Sequence, residues 1–304
     1  MALKLTGISR TFGDRVALNN VDFGVAPGKL TGFVGGNGAG KTTTMRIILG
    51  VLAPDSGEVT RRGATLSDAE RRTFGYMPEE RGLYPKMKVS EQLEYLARLH
   101  GLDRKAAARN AKYLIERLGL EERANDSLES LSLGNQQRAQ VAAALVHEPS
   151  ALILDEPFSG LDPMAVDVVV SVLNEQAARG IPVLFSSHQL DVVERLCDDL
   201  VIIAGGEIKA AGEREALRNQ FTTPRYTLQA ETDLGWVREV PGVLVEELAG
   251  RSVTFKVSLP DAAQEILRRA VASGPVIRFA PDKPSLAEIF REIIADAPAH
   301  EEKN

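Results

Sequence analysis

Gly35-Gly-Asn-Gly-Ala-Gly-Lys-Thr42 follows a short apolar run, Leu30-Thr-Gly-Phe-Val34, and leads into a segment with helical periodicity. The stretch fits G-x-x-x-x-G-K-[ST], a loop whose backbone amides converge on phosphate oxygens at the N-terminus of a helix. Strand–loop–helix placement is the context that this pattern requires. We therefore predict a phosphate-binding loop in which Lys41 reaches the β and γ phosphates and Thr42 holds Mg²⁺.

A second stretch, Ala151-Leu-Ile-Leu-Asp155-Glu156, is a continuous apolar run that ends in two carboxylates. Such a run is typical of a buried parallel strand. An acidic pair after a strand is usually solvated, but a phosphate loop in the same chain favours a functional interpretation. Asp155 suits Mg²⁺ through oxygen ligation. Glu156 is placed to orient or deprotonate the water that attacks the γ-phosphate.

Composition limits the class of protein. The chain has 304 residues, which predicts two domains, and a formal net charge of −6, which argues against a protein that coats nucleic acid. Cys197 is the only cysteine, so no intrachain disulfide can form. Charges interrupt every apolar stretch before the ~18 residues that a spanning helix needs. A function at a membrane would therefore need a separate membrane subunit.

Strand and helix signals alternate over the first two thirds of the chain, with a helical insert at about 88–148 whose first helix we expect Ser90 to cap. Composition shifts near Thr222-Thr223-Pro224, and the strands and helices that follow indicate a small α+β domain. We therefore divide the chain into a domain at 1–220 and a second domain at 225–304.

Five stretches in a fixed order resemble the nucleotide-binding domain of ATP-binding-cassette (ABC) transporters, over about residues 2–215. They are the phosphate loop, Leu131-Ser-Leu-Gly-Asn-Gln-Gln-Arg138, the Asp155-Glu156 strand, Ser159-Gly-Leu-Asp162 and Ser186-Ser-His188. The resemblance implies an α/β P-loop ATPase with an N-terminal antiparallel β subdomain and a helical subdomain. It also implies that ATP and Mg²⁺ are bound and that ATP is hydrolysed.

The resemblance also implies roles for individual residues. The nucleotide-binding residues are Phe12, which stacks on adenine, and Gly35, Gly36, Asn37, Gly38, Ala39, Gly40, Lys41, Thr42 and Thr43, with Ser132, Gly134 and Asn135 acting on the nucleotide of the opposite protomer. The catalytic residues are Glu156, His188 and Lys41, and the Mg²⁺ ligands are Thr42, Asp155 and Glu79. Asp162 lies in the loop that crosses the dimer interface.

Three positions depart from the family pattern. Gly36 stands where proline is usual, which loosens the phosphate loop. In the signature stretch Leu133 replaces a glycine and Asn135 a glutamine, so the contact across the dimer interface is expected to change. Glu79 stands where the family has glutamine; its carboxylate can still ligate Mg²⁺ but adds a negative charge.

The stretch Glu79–Met87 carries apolar side chains beside the predicted ATP site, where a partner helix or a satellite core cluster would equally explain them. This stretch and the C-terminal extension resemble exporters of the daunorubicin-resistance and sodium-efflux kinds. We expect the ATPase subunit of a bacterial exporter, acting as a homodimer or heterodimer on the cytoplasmic side of the membrane through separate transmembrane permease subunits. Drug or multidrug efflux is the first expectation and sodium or cation efflux the alternative.

Two other classes remain as alternatives. A soluble ABC ATPase that acts on ribosomes or DNA would need tandem cassettes or long coiled coils, and neither is visible in the sequence. An unrelated P-loop enzyme such as a small GTPase would leave 131–138 unexplained, and no Asn-Lys-x-Asp motif occurs. We expect 225–304 to serve regulation or assembly, with a final helix whose apolar stripe is Leu286, Ile289, Phe290, Ile293 and Ile294.

Overall fold

The computed structural model describes residues 3–80, 82–220, 224–259, 261–281, 285 and 287–290. The described residues form two compact units, of which the first ends at Arg214 and the second begins at Glu215. Within the described ranges, no helix is both long enough and apolar enough to cross a bilayer.

The first unit alternates strands and helices. In chain order they are β1 (Leu3–Phe12), β2 (Arg15–Val25), β3 (Leu30–Val34), α1 (Lys41–Ile48), β4 (Ser56–Arg61), β5 (Ala64–Thr65), α2 (Asp68–Arg71), β6 (Phe74–Met77), α3 (Val89–Leu99), α4 (Arg104–Arg117), α5 (Leu133–Leu145), β7 (Ala151–Leu154), α6 (Pro163–Ala178), β8 (Val183–Ser187), α7 (Leu190–Leu196), β9 (Asp199–Ala204) and β10 (Glu207–Glu213).

A six-stranded sheet in the order β10-β9-β3-β8-β7-β6 forms the centre of this unit. The strands from β9 to β6 run parallel, and β10 joins the edge antiparallel to β9. All residues of β3, β7 and β8 are buried, as expected for strands covered on both faces. The parallel arrangement brings the carboxyl ends of β3, β6, β7 and β8 to one edge of the sheet.

A second, antiparallel sheet in the order β2-β1-β4-β5 forms the N-terminal β subdomain. Alternating residues of β1 and β2 are buried in a core that this sheet shares with helix α1 and the central sheet. The two-residue turn Gly13-Asp14 connects β1 to β2, so Phe12 and Arg15 are cross-strand neighbours. Cross-strand neighbours project from the same face of a sheet.

The helical insert consists of α3, α4 and α5 with two short 3-10 helices between the last two. The prediction that Ser90 caps the first of these helices is wrong, because α3 begins at Val89 and Ser90 lies inside it. The amides of Val89 and Ser90 donate to the carbonyls of Asp126 (3.2 Å) and Ala124 (2.9 Å), so backbone from a distant loop replaces a side-chain cap. The predicted α/β class, with an N-terminal antiparallel β subdomain and a helical insert, is confirmed.

From Arg214 onward the elements are α8 (Arg214–Gln220), β11 (Arg225–Ala230), β12 (Val243–Ala249), β13 (Ser252–Val257), α9 (Ala262–Ser273) and β14 (Val276–Pro281). The antiparallel sheet has the order β12-β13-β11-β14, and Leu228, Phe255 and Ile266 belong to the core between the sheet and α9. This separate core gives the second unit its own hydrophobic stabilisation.

The segment that follows β14 begins a helix at the predicted capping box. The amide of Ser285 donates to Glu288 Oε2 (2.9 Å), and the amide of Glu288 donates to Ser285 Oγ (3.2 Å). Residues 287–290 are helical and Ile289 is buried. The remaining positions of the predicted stripe, apart from Phe290, lie outside the described residues: Leu286, Ile293 and Ile294.

Candidate functional site

The predicted catalytic residues follow four neighbouring parallel strands. The phosphate loop follows β3, Glu79 follows β6, Asp155 and Glu156 follow β7, and His188 follows β8. Because these strands end at the same edge of the sheet, residues far apart in the chain surround one space there.

The phosphate loop runs from β3 into α1 through Gly40, a position that a larger residue could occupy only with strain. Gly40 has a φ of 111°, and a Cβ there would lie 2.6 Å from Leu18 Cδ2. Lys41 is 91% buried, and its Nζ donates to the carbonyls of Gly35 (2.7 Å) and Gly36 (3.1 Å). An ammonium has three N–H donors, so Lys41 can bind a phosphate oxygen while it keeps the loop closed.

Asp155 is held at the end of β7 by two hydroxyl groups. Thr42 Oγ1 donates to Asp155 Oδ2 (2.9 Å), and Ser186 Oγ donates to Asp155 Oδ1 (2.5 Å). The carboxylate is almost completely buried. A hydroxyl oxygen and a carboxylate oxygen this close together form a hard-ligand pair of the kind that Mg²⁺ prefers.

Glu156 sits in a strained turn that several contacts maintain. Its φ is 52°, a left-handed conformation that is uncommon for residues other than glycine. Its amide donates to Ser186 Oγ (2.9 Å), and its carbonyl accepts from Gln137 Nε2 of α5 (2.8 Å). Its carboxylate Oε2 lies 3.0 Å from His188 Nδ1. These contacts aim a buried carboxylate at the edge of the sheet where the phosphate loop ends.

One cavity of about 760 Å³ contains most of the predicted site. The predicted residues that line it are Phe12, Asn37, Gly38, Ala39, Gly40, Lys41, Thr42, Thr43, Glu79, Asp155, Glu156 and His188. Among the residues that the structure describes, the lining carries two cationic side chains, Arg15 and Lys41, against three carboxylates. A polyanion in this cavity would therefore need backbone amides, the N-terminus of α1 and a divalent cation, in addition to these two side chains, to offset its charge.

Phe12 stands at the tip of the β1–β2 hairpin and is 47% exposed. The guanidinium of Arg10 lies 5.0 Å from the centroid of the Phe12 ring, and Arg10 is itself paired with Asp55 at 2.5 Å. This cation–π contact steadies the ring. An adenine base can stack on the part of the ring that remains exposed.

Glu79 is exposed on the wall of the cavity, two residues beyond the end of β6. Tyr76, inside that strand, is half-buried. Burial raises the pKa of the Tyr76 phenol, and the nearby Asp155 carboxylate raises it further. Tyr76 therefore stays neutral and adds no charge beside Asp155.

The signature stretch begins α5 and does not line the cavity of its own chain. Ser132 caps the helix by accepting from the amide of Asn135 (3.4 Å). Leu133 is 59% exposed and has ordinary negative φ, so its Cβ causes no backbone strain. Gly134 lies close to Gly160 and Leu161, since a Cβ on Gly134 would be 3.6 Å from the carbonyl of Gly160. The signature stretch is thus adjacent to the loop that precedes α6.

Asp162 caps α6 by accepting from the amide of Ala165 (2.8 Å), with Pro163 as the first helical residue. The Asp162 carboxylate therefore stabilises the start of α6 within its own chain. Like Gly35, Gly36, Ser132, Gly134 and Asn135, it is absent from the lining of the cavity.

Sequence reasoning missed two lining residues, Arg15 and Ala17, and two supporting residues, Ser186 and Gln137. The turn signal Gly13-Asp14 could have identified Arg15, because a two-residue hairpin turn places the residues on either side of it opposite each other. Ser186 and Gln137 lie in two of the stretches that carry the resemblance, but no pattern indicated the contacts that they make.

Cys197 and the partly buried His147 lie away from this cavity. Burial raises the pKa of the Cys197 thiol to about 12, so it is not a nucleophile at neutral pH. His147 stacks on His100 with ring centroids 3.8 Å apart. Burial, with a smaller contribution from His100, lowers the pKa of His147 to about 4, so His147 is neutral.

Comparison with known proteins decides the family. An ABC transporter ATP-binding protein of Bacillus subtilis, YhaQ, described as uncharacterized, is 37% identical over 290 residues, which cover 95% of this chain and 97% of that protein. The chain belongs to the ABC transporter ATP-binding proteins. Residues 18–159 match the ABC transporter family, and residues 212–294 match the family described as ATP-binding protein DrrA1-3-like, C-terminal domain.

Other members of this ABC transporter family have more specific names. The Nod factor export ATP-binding protein I of Bradyrhizobium sp. is 32% identical over 294 residues, or 95% of each chain. The linearmycin resistance ATP-binding protein LnrL of Bacillus subtilis is 34% identical over 218 residues, 71% of this chain and 70% of that protein.

Solved structures agree with the family assignment. An ATP-binding subunit of an ABC transporter superposes with a TM-score of 0.67 at 35% identity, covering 73% of this chain and 93% of that one. A dimeric bacterial ABC transporter cassette superposes with a TM-score of 0.63 at 25% identity, covering 69% and 98%. As an ABC ATPase, the chain is a nucleotide-binding subunit that hydrolyses ATP.

Proposed function

We propose that this ABC ATPase powers a bacterial exporter, with drug or multidrug efflux as its task, through separate permease subunits on the cytoplasmic side of the membrane. The export and resistance proteins among its relatives, and the match of its C-terminal region to a DrrA1-3-like domain, support this proposal. The observation that carries it is the segment that leads from Glu79 at the nucleotide cavity to an exposed apolar surface.

Two buried glutamines hold this segment. Gln92 accepts from the amide of Tyr84 (2.5 Å) and donates to the carbonyl of Tyr84 (3.4 Å), while Gln140 of the signature helix reaches the carbonyl of Glu80 (3.5 Å). Tyr84 is nevertheless 56% exposed and meets Tyr95 edge to face at 6.3 Å. The backbone of this segment is fixed at one end to the ATP site, and an exposed aromatic pair lies at its other end. This arrangement is suited to transferring motion to a permease helix.

ATP would act as the link between two protomers. The signature residues Ser132, Gly134 and Asn135 do not reach the cavity of their own chain, and the exposed start of α5 is free to face the cavity of a second copy. Each nucleotide would then gain contacts only in the closed dimer and would shift the population toward closure. Asp162 would lie in the loop at this interface.

Each residue of the site has a separate role in ATP hydrolysis. Phe12 and the loop residues 35–43 bind and orient the nucleotide, and Lys41 neutralises the β and γ phosphates. The Glu156 carboxylate accepts a proton from a water as the water oxygen attacks the γ-phosphorus, and ADP leaves with the electrons of the broken bond. His188, at hydrogen-bond distance from Glu156, orients that carboxylate and contacts the γ-phosphate.

Three residues at the carboxyl edge of the central sheet have oxygen atoms suited to binding Mg²⁺. Thr42 and Asp155 offer oxygen atoms 2.9 Å apart, and the Glu79 carboxylate on the cavity wall offers a third oxygen ligand. Mg²⁺ bound there would supply positive charge against the phosphates. Thr42 and Asp155 hydrogen-bond to each other, so the ligand pair is already assembled.

The exporter proposal predicts substrate-dependent ATPase activity. The full chain should be purified with a candidate permease, chosen from the membrane proteins that neighbouring reading frames encode, and reconstituted in vesicles. Apolar drugs should raise the ATPase rate at least about twofold, because a substrate that favours the closed complex shifts its population. Stimulation by Na⁺ instead would support cation efflux, and a lack of association with the membrane protein would favour a soluble ABC ATPase.

We also propose that 1–220 is the ATP-binding cassette and that 225–304 is an accessory domain for assembly or regulation. Separate hydrophobic cores in the two units support this division. The burial of Ile289 within the described chain means that this residue is not available to a second protomer. Phe290, which is partly exposed, is the described stripe residue that could pack across an interface.

A chain that ends at Gln220 should bind ATP within about twofold of the full-length affinity, because every residue of the cavity lies before that point. In the assembled transporter it should hydrolyse ATP more slowly, because a lost contact between protomers lowers their effective concentration. Circular dichroism should establish that the shortened chain is folded. A folded fragment that no longer binds ATP would contradict the two-domain division.

A further inference from the structure

The β1–β2 hairpin places a second cation over the phosphate loop. Arg15 is the cross-strand neighbour of Phe12, and its Nη2 lies 3.4 Å from the carbonyl oxygen of Gly38. Gly38 makes this approach possible, because its φ is 73° and a Cβ there would lie 2.8 Å from Arg15 Nη2. Arg15 also lines the nucleotide cavity.

We propose that Arg15 binds the phosphate chain of the nucleotide and is the second cation of the site beside Lys41; this rests on the proposed nucleotide-binding role of the cavity. Within the described part of the chain, the contact with Gly38 is the only hydrogen bond recorded for its guanidinium. That bond is long and its acceptor is neutral. A phosphate oxygen is a much stronger acceptor, and the planar guanidinium can donate to it through two N–H groups.

The position of Arg15 selects phosphate rather than base as its ligand. The guanidinium close to Phe12 is that of Arg10, which lies 5.0 Å from the ring and is already paired with Asp55. Arg15, on the neighbouring strand, instead reaches the loop whose amides face the phosphates. The hairpin therefore carries an aromatic group for the base and, opposite it, a cation for the phosphates.

This arrangement predicts a loss of affinity that depends on the phosphates. In the full chain, Arg15→Ala should lower the affinities for ATP and for ADP about tenfold each. Displacement of a fluorescent ATP analogue measures both affinities. The affinity for adenosine, which has the base and ribose but no phosphate, should change less than twofold. Arg15→Lys keeps the charge without the planar fork and should recover part of the lost affinity for both nucleotides.

Arg62→Ala is the matched control, because Arg62 is an exposed arginine in a turn of the same antiparallel sheet and does not line the cavity. It should leave all three affinities unchanged. Equal losses for ATP and adenosine, or a loss of ATP affinity under twofold, would overturn the assignment of Arg15. If Lys41→Ala weakens ATP binding and Arg15→Ala does not, only the assignment of Arg15 fails. If neither substitution weakens ATP binding, the nucleotide-binding role of the cavity fails as well.

Discussion

Glu156→Gln should leave ATP binding intact and slow hydrolysis by at least ~10²-fold. The amide keeps the size of the side chain and can still hydrogen-bond to His188, but it cannot accept a proton from the attacking water. Because ATP then remains unhydrolysed between two protomers, the variant should also accumulate as an ATP-bound dimer. Phosphate release measures the rate, and size-exclusion chromatography with and without ATP measures the dimer.

Glu148→Gln is a close control for this experiment. Glu148 has a φ of 57°, near the 52° of Glu156, so the control contains the same chemical change at a similarly strained backbone position. Glu148 lies outside the nucleotide cavity, and its variant should hydrolyse ATP at the wild-type rate. Near-normal turnover in Glu156→Gln would mean that another group is the base.

Lys41, Asp155 and Glu156 could be predicted from residue patterns because they follow recognisable buried strands, whereas Glu79 and His188 were predicted from the family resemblance. The run Ala151–Leu154 is apolar throughout, and Leu30–Val34 is fully buried with Thr31 as its only polar residue. Parallel strands place their carboxyl ends together. Local pattern and sheet geometry therefore predict which residues meet, even though Lys41 and Asp155 are more than a hundred residues apart.

The supporting contacts could not be predicted, because they depend on tertiary distances between common residue types. Ser186 holds both Asp155 and the amide of Glu156, yet in the sequence it is one of two adjacent serines. Gln137 reaches Glu156 only because α5 packs beside the end of β7. The prediction that Ser90 caps α3 was wrong for the same reason, because backbone carbonyls from a distant loop accept the hydrogen bonds at the start of that helix.

Lys41→Ala should lower ATP affinity on the order of 10²-fold, and by no less than about tenfold. We expect this to be the largest loss of ATP affinity from any single substitution in the site. A charge-assisted hydrogen bond contributes about 1.5–3 kcal/mol, and each 1.4 kcal/mol is a factor of ten in affinity. Lys41 is 91% buried beside the phosphate loop, so solvent screens its charge less than it would screen that of Arg15, which is exposed. Displacement of a fluorescent ATP analogue measures the change.

The loss must be separated from damage to the loop, because Lys41 Nζ also donates to the carbonyls of Gly35 and Gly36. Thermal unfolding monitored by circular dichroism reports that damage, and alanine itself suits the first turn of α1. Lys112→Ala, which removes an exposed lysine from α4, should change neither affinity nor unfolding. A folded Lys41→Ala variant that binds ATP at wild-type affinity would show that residues 35–42 are a glycine-rich turn and not the phosphate-binding loop.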